Sequence, residues 1–328
     1  MDSIFYFWRK VMKKIISLAL LIMVVLASLV SCGGASMTMG TGGTAGTYYG
    51  YGGILGSQIN ASAGISVNVV STDGSKANIL GIDAGNYQLG TVQSDVMAYA
   101  WQGSRSFESE GKMESFRVVG GLYAEAVQLV TMDPSIKSVA DLKGKSVSIG
   151  ASGSGVYFNA IDVLEAAGLT VDDIVPQYQS FADSADSLKD GKIAAAFIVA
   201  GPPTPAITEL FTSNSAYLVP IDGEIAENLL DSCPYYTVHS IPKGTYPGQT
   251  EEVKTVTVKA TLIVSASASE DDVYKLTKAI FDNIDAITAS HAKGAELSIE
   301  NATSGMTAPF HKGAAKYFAE KGVTVESK

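Results

Sequence analysis

The chain has 328 residues, 46% of them apolar, and a formal charge of −10, which suits one large or two medium globular domains and excludes an extended disordered polypeptide. Arg9, Lys10, Lys13 and Lys14 stand against Asp2 at the start, so the remainder carries −13, a surface that repels nucleic acid and anionic headgroups. Three scattered histidines and two cysteines offer neither a zinc site nor a disulfide framework, and no metal or cofactor is expected.

Lys13-Lys14 followed by the apolar run Ile15 to Val30 has the basic and hydrophobic regions of a secretory signal. The run is 16 residues long, short of the roughly 20 that span a bilayer, so it is read as cleaved, with Met12 a possible start. Leu29-Val30-Ser31-Cys32 resembles a bacterial lipobox. That resemblance implies that Cys32 becomes the lipidated first residue and holds an extracytoplasmic protein to the membrane. Residues 1–32 are thus the leader and 33–35 a tether. Cys233 is then left alone, as a small buried apolar residue.

The strand Ser36 to Met39 leads into Gly40 to Gly53, a stretch with seven glycines before an apolar helical pattern at Ile54. Glycines at a strand-to-helix handover let backbone approach a ligand, and the free N–H groups of the helix start favour an anion. Gly40, Gly42 and Ala45 half fit a dinucleotide fingerprint, but the expected acid comes late, at Asp73; a phosphate loop fails because no Gly-Lys-Ser/Thr follows. A strand at Ile65 to Val70 ends in Ser71-Thr72-Asp73-Gly74-Ser75, a helix follows from Lys76, and a third strand, Gln88 to Gln93, meets Ser94-Asp95 as the cap of a helix over Val96 to Trp101. Three such handovers predict a parallel sheet covered by helices, with ligands beyond the carboxyl ends of its strands.

Phe116 to Tyr123 and Ala126 to Met132 read as two extended segments, and residues 138–145 as a short helix closing on a turn. Strand Ser146 to Ile149 opens into Gly150-Ala151-Ser152-Gly153-Ser154-Gly155 and a helix over Val156 to Ala167. This second glycine-and-serine handover narrowly misses the nucleophile elbow, position 154 being serine. Further strands are expected at Pro176 to Ser180, Ile193 to Val199 and Tyr235 to Ser240, and helices at Ala206 to Phe211 and Asp222 to Asp231. Asp183, Asp186 and Asp190 mark a solvated helix face. Strand Val253 to Val264 precedes Ser269, which caps one long helix, Val273 to Ala289, with acids in its first turn; a helix from about His311 to Lys321 ends the chain.

Several of these stretches, in order over nearly the whole chain, resemble the TAXI-type solute receptors of tripartite ATP-independent periplasmic (TRAP) transporters. They are Gly42-Gly43-Thr44…Gly46-Thr47-Tyr48-Tyr49, Ser71-Thr72…Gly74-Ser75…Asn78, Gln93-Ser94-Asp95-Val96 and Leu122-Tyr123-Ala124-Glu125. Asp141-Leu142-Lys143-Gly144-Lys145, Gly153-Ser154-Gly155, Leu188-Lys189-Asp190-Gly191-Lys192, Gly201-Pro202-Pro203-Thr204 and Pro309…His311…Gly313-Ala314 follow. The resemblance implies a two-lobe, type II periplasmic-binding-protein-like α/β fold, a small organic anion such as glutamate or a related dicarboxylate as ligand, and delivery to a TRAP permease. Asp73 stands where glycine is expected and Val156 where threonine is.

Candidate ligand-binding residues are Gly43, Thr44, Thr47, Tyr48, Ser71, Gly74, Ser75, Asn78, Gln93, Asp95, Tyr123, Glu125, Ser152, Ser154, Gly155, Gly201, Pro203 and Tyr246. The only arginines beyond the leader, Arg105 and Arg117, lie outside the glycine-rich loops, so the helix starts have to supply the donors. Lobe one is placed at 36–120 plus 255–310 and lobe two at 121–254, crossed by Gly120 to Val130 and Val253 to Val264, with 311–328 a C-terminal helix outside a monomeric receptor. The alternative is a secreted α/β hydrolase using a serine of the 150–155 loop, which would need one of His239, His291 or His311 as base.

Overall fold

Two long antiparallel strands organise the architecture. In the computed structural model, which describes residues 35–213 and 216–328, β4 (Phe116–Thr131) is paired with β10 (Val253–Ser265) from Phe116↔Ser265 to Ala126↔Thr257. The segments expected around Tyr123 and Ala126 are thus one strand of 16 residues. Glu125 does not interrupt it, because its backbone stays in the ladder opposite Val258.

Each end of this pair nucleates its own wing. On one side β3 (Leu89–Gln93) runs antiparallel to the second half of β10 and parallel to β1 (Ser36–Gly40), which in turn pairs parallel with β2 (Ser66–Val70). On the other, β7 (Ala195–Ala200) pairs antiparallel with the second half of β4 and parallel with β5 (Ser146–Ser148), which carries β6 (Val175–Gln177). Two short strands finish this wing, β8 (Tyr217–Val219) on β4 and β9 (Thr237–Ile241) on β10. Register shifts in β10 at Lys259/Thr261 and Leu262/Ile263 mark bulges where the pair passes between wings. This is the two-lobe, type II arrangement, and residues 36–328 form one compact unit.

The parallel strands hand over to helices as expected: α1 (Thr47–Ala63), α2 (Ser75–Asp83), α3 (Ser94–Gln102), α4 (Val156–Ala166), α5 (Phe181–Lys189) and α6 (Pro205–Ser213). The first glycine-rich stretch is shorter as a loop than its composition predicts, since α1 starts at Thr47 and takes in Gly50, Gly52 and Gly53. Gly52 and Gly56 lie on the buried face; a Cβ at 52 would fall 2.8 Å from the Thr41 methyl and one at 56 would fall 3.3 Å from Val67. These glycines let the helix lie close on its own sheet. Gln93, rather than Ser94 or Asp95, precedes α3 as its cap residue, because both of the latter side chains are used elsewhere: Ser94 Oγ accepts from Lys259 N at 3.0 Å and Asp95 from Asn159.

After α7 (Gly223–Ser232) and β10, the long helix expected over 273–289 is two, α8 (Glu270–Phe281) and α9 (Ile284–Ser290). Its break is at Asp282, whose carboxylate is held by Tyr317 Oη at 2.7 Å and Lys321 at 2.8 Å. Ser269 caps α8 as expected, accepting from Asp272 N at 3.1 Å. The short helix expected at 138–145 is a single 3₁₀ turn, Val139–Leu142, with a Ser138/Asp141 capping box. A short helix, α10 (Ile299–Thr303), precedes α11 (Lys312–Glu320), which lies along α8.

Gly313 sits where α11 meets α8, and a Cβ there would lie 2.3 Å from the Glu270 carbonyl and 2.6 Å from Tyr274 N, both backbone atoms. Gly313→Ala should therefore destabilise the protein by about 1–3 kcal/mol through overpacking, read as a lower urea midpoint with an unchanged m-value.

Candidate functional site

The carboxyl ends of the parallel strands in both wings face one cavity of about 350 Å³. Its walls are the loops after β1, β2, β5 and β6, the ends of β3 and β7, and Glu125 from β4. Gly46, Gly74 and Gly155 are the cap residues of α1, α2 and α4 and offer no capping side chain of their own, though in α4 Ser154 Oγ, one residue earlier, accepts from Tyr157 N at 3.4 Å. The starts of all three helices line the cavity, although Ala77 N of α2 is already bonded to the Gly153 carbonyl. Among the described residues lining it there is no lysine, arginine, histidine or cysteine, and the only carboxyl groups are Asp73 and Glu125.

Glu125 forms the floor. It is 1% exposed, and its Oε2 accepts the Tyr48 phenol at 2.6 Å. Burial pushes this carboxyl up to about 8; the buried Asp95 adds to the rise, and the Tyr48 hydrogen bond and the Lys293 charge oppose it. Burial, then Glu125 itself, raises the Tyr48 phenol well above its ordinary value.

The two wings are joined around the cavity. Thr47 Oγ1 donates to the Gly201 carbonyl at 2.7 Å, Ala206 N to the Ala45 carbonyl at 3.2 Å and Ala77 N to the Gly153 carbonyl at 3.2 Å. Behind it, Gln93 Nε2 donates to Asn159 Oδ1 at 2.9 Å, and Asn159 Nδ2 donates to Asp95 Oδ2 at 2.9 Å. Tyr236 donates to Asp162 at 3.0 Å, and Asp162 pairs with Arg105 at 2.9 Å. Desolvation raises Asp95 to about 7, with Asp162 adding, against a hydrogen bond from Val96 N and one from Asn159. The structure is therefore the closed form of a cleft.

Of the residues singled out from the sequence, Gly43, Thr44, Thr47, Tyr48, Ser71, Gly74, Ser75, Gln93, Glu125, Ser154 and Gly155 line the cavity. The others lie away from it. Asn78 is fully buried, donating to the Thr41 and Thr91 carbonyls and accepting from Thr72, so it ties β1 to β3. Asp95 belongs to the network behind the cavity. Tyr123 packs edge-on against Tyr51 at 5.1 Å, and Tyr246 is buried between Gln128 and Thr204 N. Gly201 packs against Tyr123 and Lys293, Pro203 follows in the turn before α6, and Ser152 is exposed.

Several side chains that line the cavity have their hydroxyls committed: Ser71 donates to the Gly42 carbonyl at 3.0 Å and Ser154 to the Ala151 carbonyl at 2.7 Å. Gly155 is also more than a close approach to ligand, for a Cβ there would fall 1.5 Å from Gln93 Oε1. Sequence reasoning missed the wall formed by Gln179, Ser180, Phe181 and Ala182 at the start of α5. No glycine marks that handover; the signal was Ser180 three residues before Asp183, whose N–H it caps at 3.2 Å. Arg105 and Arg117 do not line the cavity; Arg117 is spent on the Glu114, Phe116 and Lys328 carbonyls.

Residues 39–322 match the NMT1-like family. The chain belongs to that family. Among solved structures, the alkanesulfonate-binding protein SsuA from Xanthomonas axonopodis pv. citri, bound to MOPS, is similar at 16% identity and TM-score 0.50, over 89% of this chain and 92% of that one. A Bordetella bronchiseptica RB50 protein is similar at 17% and 0.54, over 87% and 89%. A candidate L-cystine ABC transporter from Listeria monocytogenes is similar at 17% and 0.51, over 80% and 98%. At these identities the likeness establishes the fold of this NMT1-like chain, that of periplasmic solute-binding proteins. The lipidation expected at Cys32 and the leader before it lie outside the described residues.

The buried acids set a pH dependence of stability. An unfolded carboxyl ionises near about pH 4, whereas Asp95 and Glu125 hold their protons to about 7 and about 8 in the fold. Between these limits the native state binds more protons than the unfolded one, so stability falls as pH rises. Urea unfolding across this window should show that decline, and Asp95→Asn should flatten it by up to about 1.4 kcal/mol per pH unit.

Proposed function

We propose that this NMT1-like protein is an extracytoplasmic receptor that closes two lobes on a small organic anion and delivers it to a membrane permease of the TRAP type. The observation that carries this reading is the convergence of three helix starts, each with glycine as its cap residue, on one cavity. Backbone N–H groups at a helix N-terminus bind anions without any cationic side chain. Each charge-assisted bond contributes about 1.5–3 kcal/mol. The cavity of about 350 Å³ suits a molecule of a few carbons, such as glutamate or a related dicarboxylate.

The lobes are taken as 36–120 plus 255–310 and 121–254, with β4 and β10 as the crossing strands and 311–328 a helix and tail on the outside. The resemblance in sequence supports the TRAP assignment. The lipobox supports anchoring through Cys32, with the receptor acting as a monomer that meets the membrane through lipid and permease. The helix starts of α1 and α4 come from different wings, so a ligand bridging them favours the closed state by the bonds it makes only there.

Hydrolysis is not favoured by the geometry. Ser152 is exposed, the Ser154 hydroxyl already donates to the Ala151 carbonyl, and neither histidine nor cysteine is found among the described residues lining the cavity. We therefore read the site as one that binds without turnover.

A thermal-shift screen of small carboxylates should find a ligand that stabilises the protein by about 2.7 kcal/mol at 100 times its dissociation constant, with no turnover of generic esters. Gly46→Val should weaken that ligand at least about tenfold, since a Cβ at 46 already lies 3.3 Å from the Phe181 ring across the cavity mouth. Unchanged affinity in this folded variant would place the site elsewhere.

A further inference from the structure

Only one of the two oxygens of Glu125 has a protein partner. Oε2 accepts from Tyr48, while Oε1 is neither hydrogen-bonded nor sealed among the buried unsatisfied atoms, and the residue lines the cavity at 1% exposure. A deeply buried carboxyl therefore presents its second oxygen to whatever occupies the cavity. Its surroundings offer no compensating cation at contact distance. Tyr48 from α1 donates, Tyr123 flanks it on β4, Asp95 approaches from the start of α3, and Asp73 lines the same cavity from the loop before α2. The single cation among its neighbours, Lys293, is itself paired with Glu296 at 2.5 Å. An ionised Glu125 would be a buried charge with no cation in contact, near the buried Asp95, an arrangement avoided by holding the proton.

Resting on the receptor reading above, we propose that Glu125 is the specificity-determining residue of the site. It meets the ligand as an un-ionised carboxylic acid, donating from Oε1 to a ligand oxygen, while the helix starts hold the anionic group. The ligand end that reaches the floor is then a hydrogen-bond acceptor, a carboxylate, carbonyl or hydroxyl oxygen, and not an ammonium. The Tyr48 phenol fixes which oxygen carries the proton, because Oε2 is engaged as an acceptor and the proton is left for Oε1. Binding in this form is present at neutral pH and is lost as pH rises through the ionisation of Glu125, which lies near about 8 in the free protein.

Two measurements test this. Infrared difference spectra of wild type minus Glu125→Gln read the carboxyl with no ligand present: a carbonyl band of un-ionised acid at about pH 7 is expected, and its absence at that pH overturns the proposal. Calorimetry then uses glutarate and L-glutamate as probes, which share a carbon skeleton and differ by the ammonium. The probe that binds should lose affinity by about tenfold per pH unit above about pH 8. Glu125→Leu should weaken it at least tenfold near neutral pH, and Glu125→Gln, which keeps a donor for the cavity and an acceptor for Tyr48, should restore it and abolish the pH step. Wild-type affinity that rises with pH, together with loss of binding in Glu125→Gln, would assign an ammonium to the floor and overturn the proposal. If neither probe binds wild type while the infrared band is present, the small-anion receptor reading fails for these ligands and the un-ionised Glu125 is retained.

Discussion

The β4/β10 ladder is the constraint on which the rest depends. A strand of 16 residues and its partner of 13 run through both wings, so each wing inherits its orientation from the same hydrogen-bonded pair. With β1, β2 and β3 parallel on one side and β5, β6 and β7 parallel on the other, the carboxyl ends of both sets come to face one cavity. Helices must start there, because each parallel strand returns through a helix over the sheet. The orphan N–H groups of those helices are in turn a direct product of the topology. Glycine at 46, 74 and 155 puts no capping side chain at those positions, which is the basis for proposing an anion as the occupant.

The same economy explains the electrostatics. The cavity wall holds no arginine among the described residues, and Arg105 and Arg117 are occupied elsewhere, Arg105 on Asp162 and Arg117 on three carbonyls. In their absence the acids around the cavity are governed by burial. Glu125 and Asp95 are both raised far from the ordinary carboxylate range.

Closure is secured by two kinds of contact with different consequences. At the mouth, hydrogen bonds such as Ala206 N to the Ala45 carbonyl and Ala77 N to the Gly153 carbonyl join the wings directly. Behind the cavity the chain Gln93, Asn159, Asp95 is wholly buried, and breaking it without water would leave polar groups unpaired.

The sequence by itself determined the local grammar. Glycine-rich handovers, helix starts and the alternation of strand with helix are short-range consequences of backbone freedom and apolar spacing, and the α/β order and most helices were legible from them. So was the part of the site that consists of those loops, from Gly43 to Tyr48 and Ser71 to Ser75. Other features depended on partners far along the chain. Asn78, Tyr123 and Tyr246 look like polar ligands in isolation but are consumed by buried packing, and the Phe181 wall carries no glycine to betray it. At the break between α8 and α9, Asp282 is met by Tyr317 and Lys321 from the last helix and the turn after it, partners far along the chain. The upward shift of the Glu125 carboxyl was likewise invisible in sequence, because its main cause is burial, which the tertiary structure alone confers.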